Sequence, residues 1–136
     1  MASWEELYEW NVASVAQLRG KKPGFADQRF YRSAVSRAYY AAYAAVTRRL
    51  VEAGTTFSKG WNNPEHSELP RLIQQQLAGR YSSSQLKEMA AAIRRLRSAR
   101  IDADYRPQRL VDRDLALQAS RDAGAVIGTL KKETRR

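Results

Sequence analysis

The chain has 136 residues, enough for one domain with its own core, and 43% are apolar and 10% aromatic, which excludes a disordered polyelectrolyte. It carries 24 Lys and Arg against 14 Asp and Glu, a net charge of +10, so composition points to a polyanionic partner, nucleic acid first. The absence of cysteine excludes disulfide staples, thiolate metal sites and cysteine nucleophiles.

Arginine outnumbers lysine, which tilts the basic character toward phosphate, because a planar guanidinium grips phosphate bidentately. An ordinary solvated basic surface is the competing explanation. The opening Met1-Ala2-Ser3-Trp4-Glu5-Glu6 is acidic where a signal peptide would be basic and then apolar, so a cytoplasmic location is expected. No apolar run approaches the roughly 20 residues that span a bilayer, so no membrane partner is expected.

In chain order, Ser3 is an N-cap candidate for a first helix striped by Trp4, Leu7, Val15 and Leu18, with Val12 less well placed, and broken by Gly20-Lys21-Lys22-Pro23-Gly24. A second helix is predicted from near Asp27 to about Ala53, with Gly54 as its stop. Its middle, Ala38 to Val46, holds only Ala, Tyr and Val, so it is expected to be the central helix, buried on several sides. Residues 55–63 read as a loop in which Phe57 and Trp61 are expected to cover the end of the core. A short helix follows from roughly Glu65 to Ala78, tolerable with Pro70 only if that proline lies in the first turn. Ser82-Ser83-Ser84 offers caps for a helix from about Gln85 to Ala103, stopped by Asp104-Tyr105-Arg106-Pro107. Asp112 caps a last helix containing Leu115, Ala119, Ala123, Val126, Ile127 and Leu130, in which Gly124 and Gly128 suggest close packing. The expected fold is all-α, a single up-and-down bundle of four to five helices over residues 1–130 with a frayed basic tail at 131–136.

At about 100° per residue, Leu86, Met89, Ile93 and Leu96 share one stripe, and Arg100 falls on it. Arg97 lies at its edge, Arg94 to the side, and Arg95 points away. A guanidinium on an apolar stripe is either paired with a carboxylate such as Asp102 or Asp104, or held in a crevice to meet phosphate. His66, the only histidine, is either a packing or capping residue or a group that reaches the same crevice. One histidine and no acidic cluster give no metal site, and no cofactor is expected.

Tyr31 to Leu50 (YRSAVSRAYYAAYAAVTRRL), His66-Ser67 opening a helix, Leu96 to Tyr105 (LRSARIDADY) and the alanines at 116, 119 and 123 together resemble the HEPN superfamily (higher eukaryotes and prokaryotes nucleotide-binding), in its small prokaryotic, toxin- and defence-associated branch. The resemblance implies a helical bundle that forms a homodimer, RNA or a nucleotide as ligand, and a nucleotidyltransferase antitoxin or other defence protein as possible partner. Active HEPN ribonucleases carry an arginine followed shortly by a histidine, and two copies form one metal-independent site in the dimer cleft. Carried over, Arg100 takes the arginine position and Tyr105 stands where the histidine belongs, leaving Arg100, Tyr105 and His66 as candidate catalytic groups. Tyrosine, with an ordinary pKa near 10, is a poor base at neutral pH. A tyrosine that a partner nucleotidyltransferase modifies in some members is replaced here by Pro107.

Nucleic acid is expected on Arg97, Arg94, Arg106 and Arg37, with Asp102, Asp104, Tyr39 and Tyr40 in support. Three readings stay open at this stage: an RNA-directed toxin or defence protein, a non-catalytic dimeric HEPN module, and a structural helical adaptor.

Overall fold

The computed structural model describes residues 25–58 and 62–133. The expected first helix, Trp61 and the end of the tail lie outside the described residues. Among those residues there are four α-helices and no strand: α1 Phe25–Glu52, α2 Leu69–Gln76, α3 Ser83–Tyr105 and α4 Arg113–Leu130. The fold is an all-α bundle.

Helix α1 is central because its Ala-rich middle is apolar most of the way round. It packs on α3 and α4 and touches α2, while α2 rests chiefly on α3. Tyr31, Ala34, Val35, Ala38, Tyr39, Ala42, Val46 and Leu50 are all buried in one cluster with Leu69, Ile73, Leu86, Met89, Ile93, Leu96 and Val126. The small alanines let neighbouring backbones approach closely, and the tyrosines supply the volume. Phe57 packs against the edge of this cluster, as a loop aromatic covering a core does.

The helix ends follow local chemistry. Gly54, at φ +82°, closes α1. Its N–H donates to the Val51 carbonyl and that of Thr55 to the Leu50 carbonyl, the paired bonds of a Schellman motif. Ser82 caps α3 through a capping box with Gln85, and Asp112 caps α4 by accepting from the Leu115 N–H. Helix α2 is shorter than its sequence pattern suggests. His66–Glu68 forms a 3-10 turn and the α-helix starts at Leu69, because Pro70 has no N–H to donate and fits only the first turn. Helix α3 runs to Tyr105, two residues past the expected stop, since Pro107 restricts only Arg106 before it.

A Cβ placed on Gly128 meets no heavy atom within 4 Å among the described residues, so at that glycine the expected close packing against α1 is corrected. At the far end, Glu133 pairs with Arg80 at 2.8 Å and Arg49 at 3.5 Å.

Candidate functional site

The apolar stripe of α3 carries Arg100 into the bundle, leaving it only 7% exposed. Its guanidinium carbon lies 5.1 Å from the Tyr39 ring centre, 5.7 Å from Tyr40 and 5.4 Å from Tyr105. Such cation–π contacts contribute about 0.5–2 kcal/mol each, against several kcal/mol for desolvating the charge, so the rings offset the burial only in part. Polar partners are sparse. Nη1 donates to the Tyr40 and Tyr105 hydroxyls at 3.4 Å each, both long, and Nε is buried without a partner among the described residues. The approaching carboxylate, Asp104, has Oδ2 at 3.9 Å, beyond hydrogen-bond reach, and accepts from the Ser36 hydroxyl at 3.3 Å instead. Asp102 is engaged by Arg106 at 3.2 Å.

Helix α1 supplies the tyrosine side of the site, Tyr39, Tyr40 and Tyr43 falling on adjoining turns. The turn before α2 brings His66 onto them, stacked on Tyr43 at 4.5 Å and on Tyr39 at 5.5 Å. The Tyr39 hydroxyl is 2.5 Å from His66 Nδ1. Burial pushes the Tyr39 phenol up to about 12, with the Arg100 charge opposing, so it keeps its proton. Nδ1 is the hydrogen-bond partner that hydroxyl has among the described residues, which ties the imidazole to the middle of α1. Burial first, then Arg100 and Arg97, lower the His66 pKa and keep the ring neutral. His66, Tyr39 and Arg100 thus form one contiguous group drawn from three segments.

Arg94 and Arg97 sit on the flank of α3 facing α2 and line a surface pocket of about 420 Å³ together with Arg71 and Arg106. Arg37 does not line it. That side chain is half-buried on α1, donates to Ser33 Oγ at 2.6 Å, and has its pKa lowered by burial. Arg95 points away from the stripe and clamps the buried Asp122 of α4 with bonds of 2.9 and 3.2 Å.

A family model described as HEPN domain matches residues 25–133. The chain belongs to the HEPN family. HEPN domains are in general RNA-related or nucleotide-binding. No curated protein and no solved structure matches the chain. The matched HEPN span begins with α1 and ends just past α4, so it contains every side chain of the Arg100 group. Among the described residues of this HEPN domain, no helix is long and apolar enough to cross a membrane, and no group of three or more His, Cys, Asp or Glu could hold a metal ion.

Sequence reasoning missed Arg32 altogether. From α1 its Nη1 donates to the carbonyls of Asp102, Ala103 and Arg106, and its Nη2 to those of Pro107 and Arg109. Gln28, one turn earlier, bonds both the N–H and the carbonyl of Val111. These two side chains fix the end of α3, and with it Asp104 and Tyr105. No local signal marks Arg32, because its partners lie some seventy residues away. Arg71, Ser67 and Ser98 in the pocket were also missed, although Arg94, Arg97, Ser98 and Ile101 follow the spacing of a single helix face.

Proposed function

We propose that this HEPN chain binds RNA by seating a backbone phosphate against Arg100, and that two copies of the chain bring their Arg100 groups to one cleft. The observation that carries this reading is Arg100 itself: 7% exposed and, among the described residues, without a carboxylate in hydrogen-bond contact and with a buried Nε that has no partner. A purely structural arginine held at that cost would be expected to sit in a tight ion pair, as Arg95 does with Asp122. A phosphate oxygen supplies the missing acceptors and the missing charge. Tyr40 and Tyr105, 41% and 68% exposed, rim the guanidinium and offer a partner copy an aromatic surface. The resemblance of residues 96–105 to the small prokaryotic branch supports a toxin–antitoxin or antiphage-defence setting, with a nucleotidyltransferase as a candidate protein partner.

The proton arrangement at His66 favours binding over cleavage in the resting state. A buried phenol needs an acceptor for its proton, which favours Tyr39 donating to Nδ1; the imidazole proton then lies on Nε2, and His66 presents a hydrogen-bond donor and no free lone pair. A donor beside Arg100 strengthens phosphate binding but does not deprotonate a 2′-hydroxyl. The supported activity is therefore RNA binding by a HEPN dimer.

The test is binding of a labelled single-stranded RNA across a salt series, with Arg100→Ala beside the parent and Lys87→Ala as control. Loss of affinity with a shallower salt dependence in Arg100→Ala alone is expected. Unchanged affinity and slope in Arg100→Ala would sink the reading. Light scattering tests the dimer, and a monomer at tens of micromolar would remove the shared cleft.

A further inference from the structure

The pocket between α2 and α3 is wired differently from the Arg100 group. It is a concavity of about 420 Å³, within the range of small-molecule sites, which run from about 300 to 1,000 Å³. Its wall on α3 carries Arg94 and Arg97, one turn apart, and Arg71 and Arg106 face them from α2 and from just past α3. Two of these four charges are already matched: Arg71 by Glu68 at 3.1 Å and Arg106 by Asp102 at 3.2 Å. The other two are not. No carboxylate forms an ion pair with Arg94 or Arg97 among the described residues, and the Arg97 Nε is buried without a hydrogen-bond partner.

The remaining lining is mixed in a useful way. Pro70 and Ile101 give the pocket an apolar floor, and the hydroxyls of Ser67 and Ser98 stand beside the arginines. Cations without counter-charge, hydroxyls and an apolar surface in one small concavity match a nucleotide, whose phosphate is anionic and whose sugar and base present flat, weakly polar faces. A duplex cannot use such a space in the same way, since its bases are paired and stacked and none is free to turn into the pocket.

The pocket also adjoins the Arg100 group through Arg97 and Ser67. Arg97 lines it, and the same Arg97 charge lies close enough to His66 and Tyr39 to influence both. Ser67, in the pocket, directly follows His66. One strand can therefore be held at both places.

We infer that this pocket is a nucleotide subsite, in which Arg94 and Arg97 take the phosphate of a single-stranded RNA nucleotide next to the one held at Arg100. The inference rests on the RNA-binding reading above and extends it by placing a second phosphate site, on Arg94 and Arg97, beside the one at Arg100. It predicts that a strand crosses from Arg100 past His66 to α2, with one nucleotide turned into the pocket.

The experiment uses the full chain and a short fluorescein-labelled oligouridylate, prepared with a 5′-hydroxyl or a 5′-phosphate, and a blunt RNA duplex. Arg94→Gln/Arg97→Gln should weaken single-strand binding by about tenfold and flatten the log–log salt slope by roughly 1. Arg94→Glu, at an exposed helix position, gives the same direction and keeps the test valid if the double variant unfolds. An equal loss on both oligonucleotides assigns the pocket to an internal phosphodiester, and a loss confined to the 5′-phosphorylated form assigns it to a terminal phosphate. Duplex binding should be unchanged, and an equal loss on duplex overturns the single-nucleotide subsite. If Arg100→Met loses RNA while Arg94→Glu binds like the parent, the subsite is wrong and the Arg100 reading stands. If Arg94→Glu loses RNA while Arg100→Met does not, the pocket holds RNA without Arg100, and the Arg100 reading falls together with the path between the two places. If neither variant changes binding, both fall.

Discussion

The Tyr39 hydroxyl reaches Nδ1 of His66 at 2.5 Å, joining the middle of α1 to the turn that precedes α2. Tyr39 is fully buried, and the Arg100 guanidinium lies over its ring, 5.1 Å from the centre. One phenol therefore does two things: its face meets a cation and its hydroxyl holds an imidazole. A tyrosine that looks like core filler in an Ala-rich helix is thereby the link between the two groups best suited to phosphate.

The first expectation concerns pH. The His66 pKa is lowered in the folded chain, chiefly by burial and then by Arg100 and Arg97, while in the unfolded chain it returns to about 6.5. The unfolded state thus binds more protons as pH falls through that range, so stability is fully present above about 6.5 and declines as pH drops from there through the lowered folded value. Thermal melts of the parent between about pH 7.5 and 5.5 should show a falling Tm, above the range where carboxylates titrate. His66→Gln should flatten that slope. A parent curve that is already flat would contradict the buried neutral imidazole.

The second separates stability from binding at Arg100. An incompletely paired buried charge costs folding energy, and replacing it with an apolar side chain of similar length is often neutral or stabilising. Arg100→Met should melt at the parent temperature or above it, while its affinity for single-stranded RNA drops by about tenfold or more, the equivalent of one charge-assisted hydrogen bond. A large loss of stability would mean that Arg100 is structural, contrary to its sparse partners.

Arg100 shows what was legible in the chain. Its place on a buried stripe follows from helical spacing alone, because a helix conserves angle from residue to residue whatever packs on it. The Ser82 and Asp112 caps, the Gly54 stop and the first-turn position of Pro70 were legible for the same reason, each being decided within a few residues. His66 was not. Whether it packs idly or meets Arg100 depends on how the segment after α1 folds back, which local pattern does not encode. Arg32 was invisible too, since its carbonyl partners exist as a cluster only once α3 has ended against α1. Asp102 and Asp104 were correctly suspect as partners for nearby arginines, but geometry divided them, Asp102 to Arg106 and Asp104 to Ser36 with Arg100 farther off.

Arg32 supplies the third expectation. The last carbonyls of a helix lack intrahelical donors and carry the negative end of its dipole, so a cation there is favourable. Arg32→Ala should destabilise the chain by about 2–3 kcal/mol in urea unfolding, in line with loss of hydrogen bonds to a charged group. Amide exchange should quicken at Asp104 to Arg109. Arg32→Lys should recover only part, because a single ammonium cannot span the carbonyls of both Asp102 and Pro107.

The Arg95–Asp122 pair is the fourth. Its guanidinium is 57% exposed, so solvent screens the pair from that side, yet Asp122 is 8% exposed and accepts from Gln118 as well. Removing Arg95 strands a mostly buried carboxylate. Arg95→Ala should cost about 1–2 kcal/mol of stability, and Arg95→Ala/Asp122→Ala less than the sum of the single changes. RNA affinity should hold in both, since the pair faces α4 and not the Arg100 group. A loss of RNA binding equal to that of Arg100→Ala would show that the basic surface acts as an undivided whole.

The last expectation turns on Tyr105. It ends α3 with its hydroxyl 3.4 Å from Arg100 Nη1 and its ring 68% exposed. A histidine there, exposed and beside the Arg100 charge, would be largely neutral at pH 7. Unlike His66, it would lie away from the Tyr39 hydroxyl that occupies Nδ1, leaving a ring nitrogen free to accept a proton from a ribose 2′-hydroxyl. Arg100, already beside that position, would meet the charge that develops on the phosphate. Tyr105→His should therefore gain RNA cleavage that chelators do not inhibit, leaving 2′,3′-cyclic phosphate ends and rising with pH through about 6.5. Adding Arg100→Ala should abolish it. If Tyr105→His folds and binds RNA like the parent but cleaves nothing, the base was not the missing part, and the geometry about Arg100 serves to hold RNA and not to cut it.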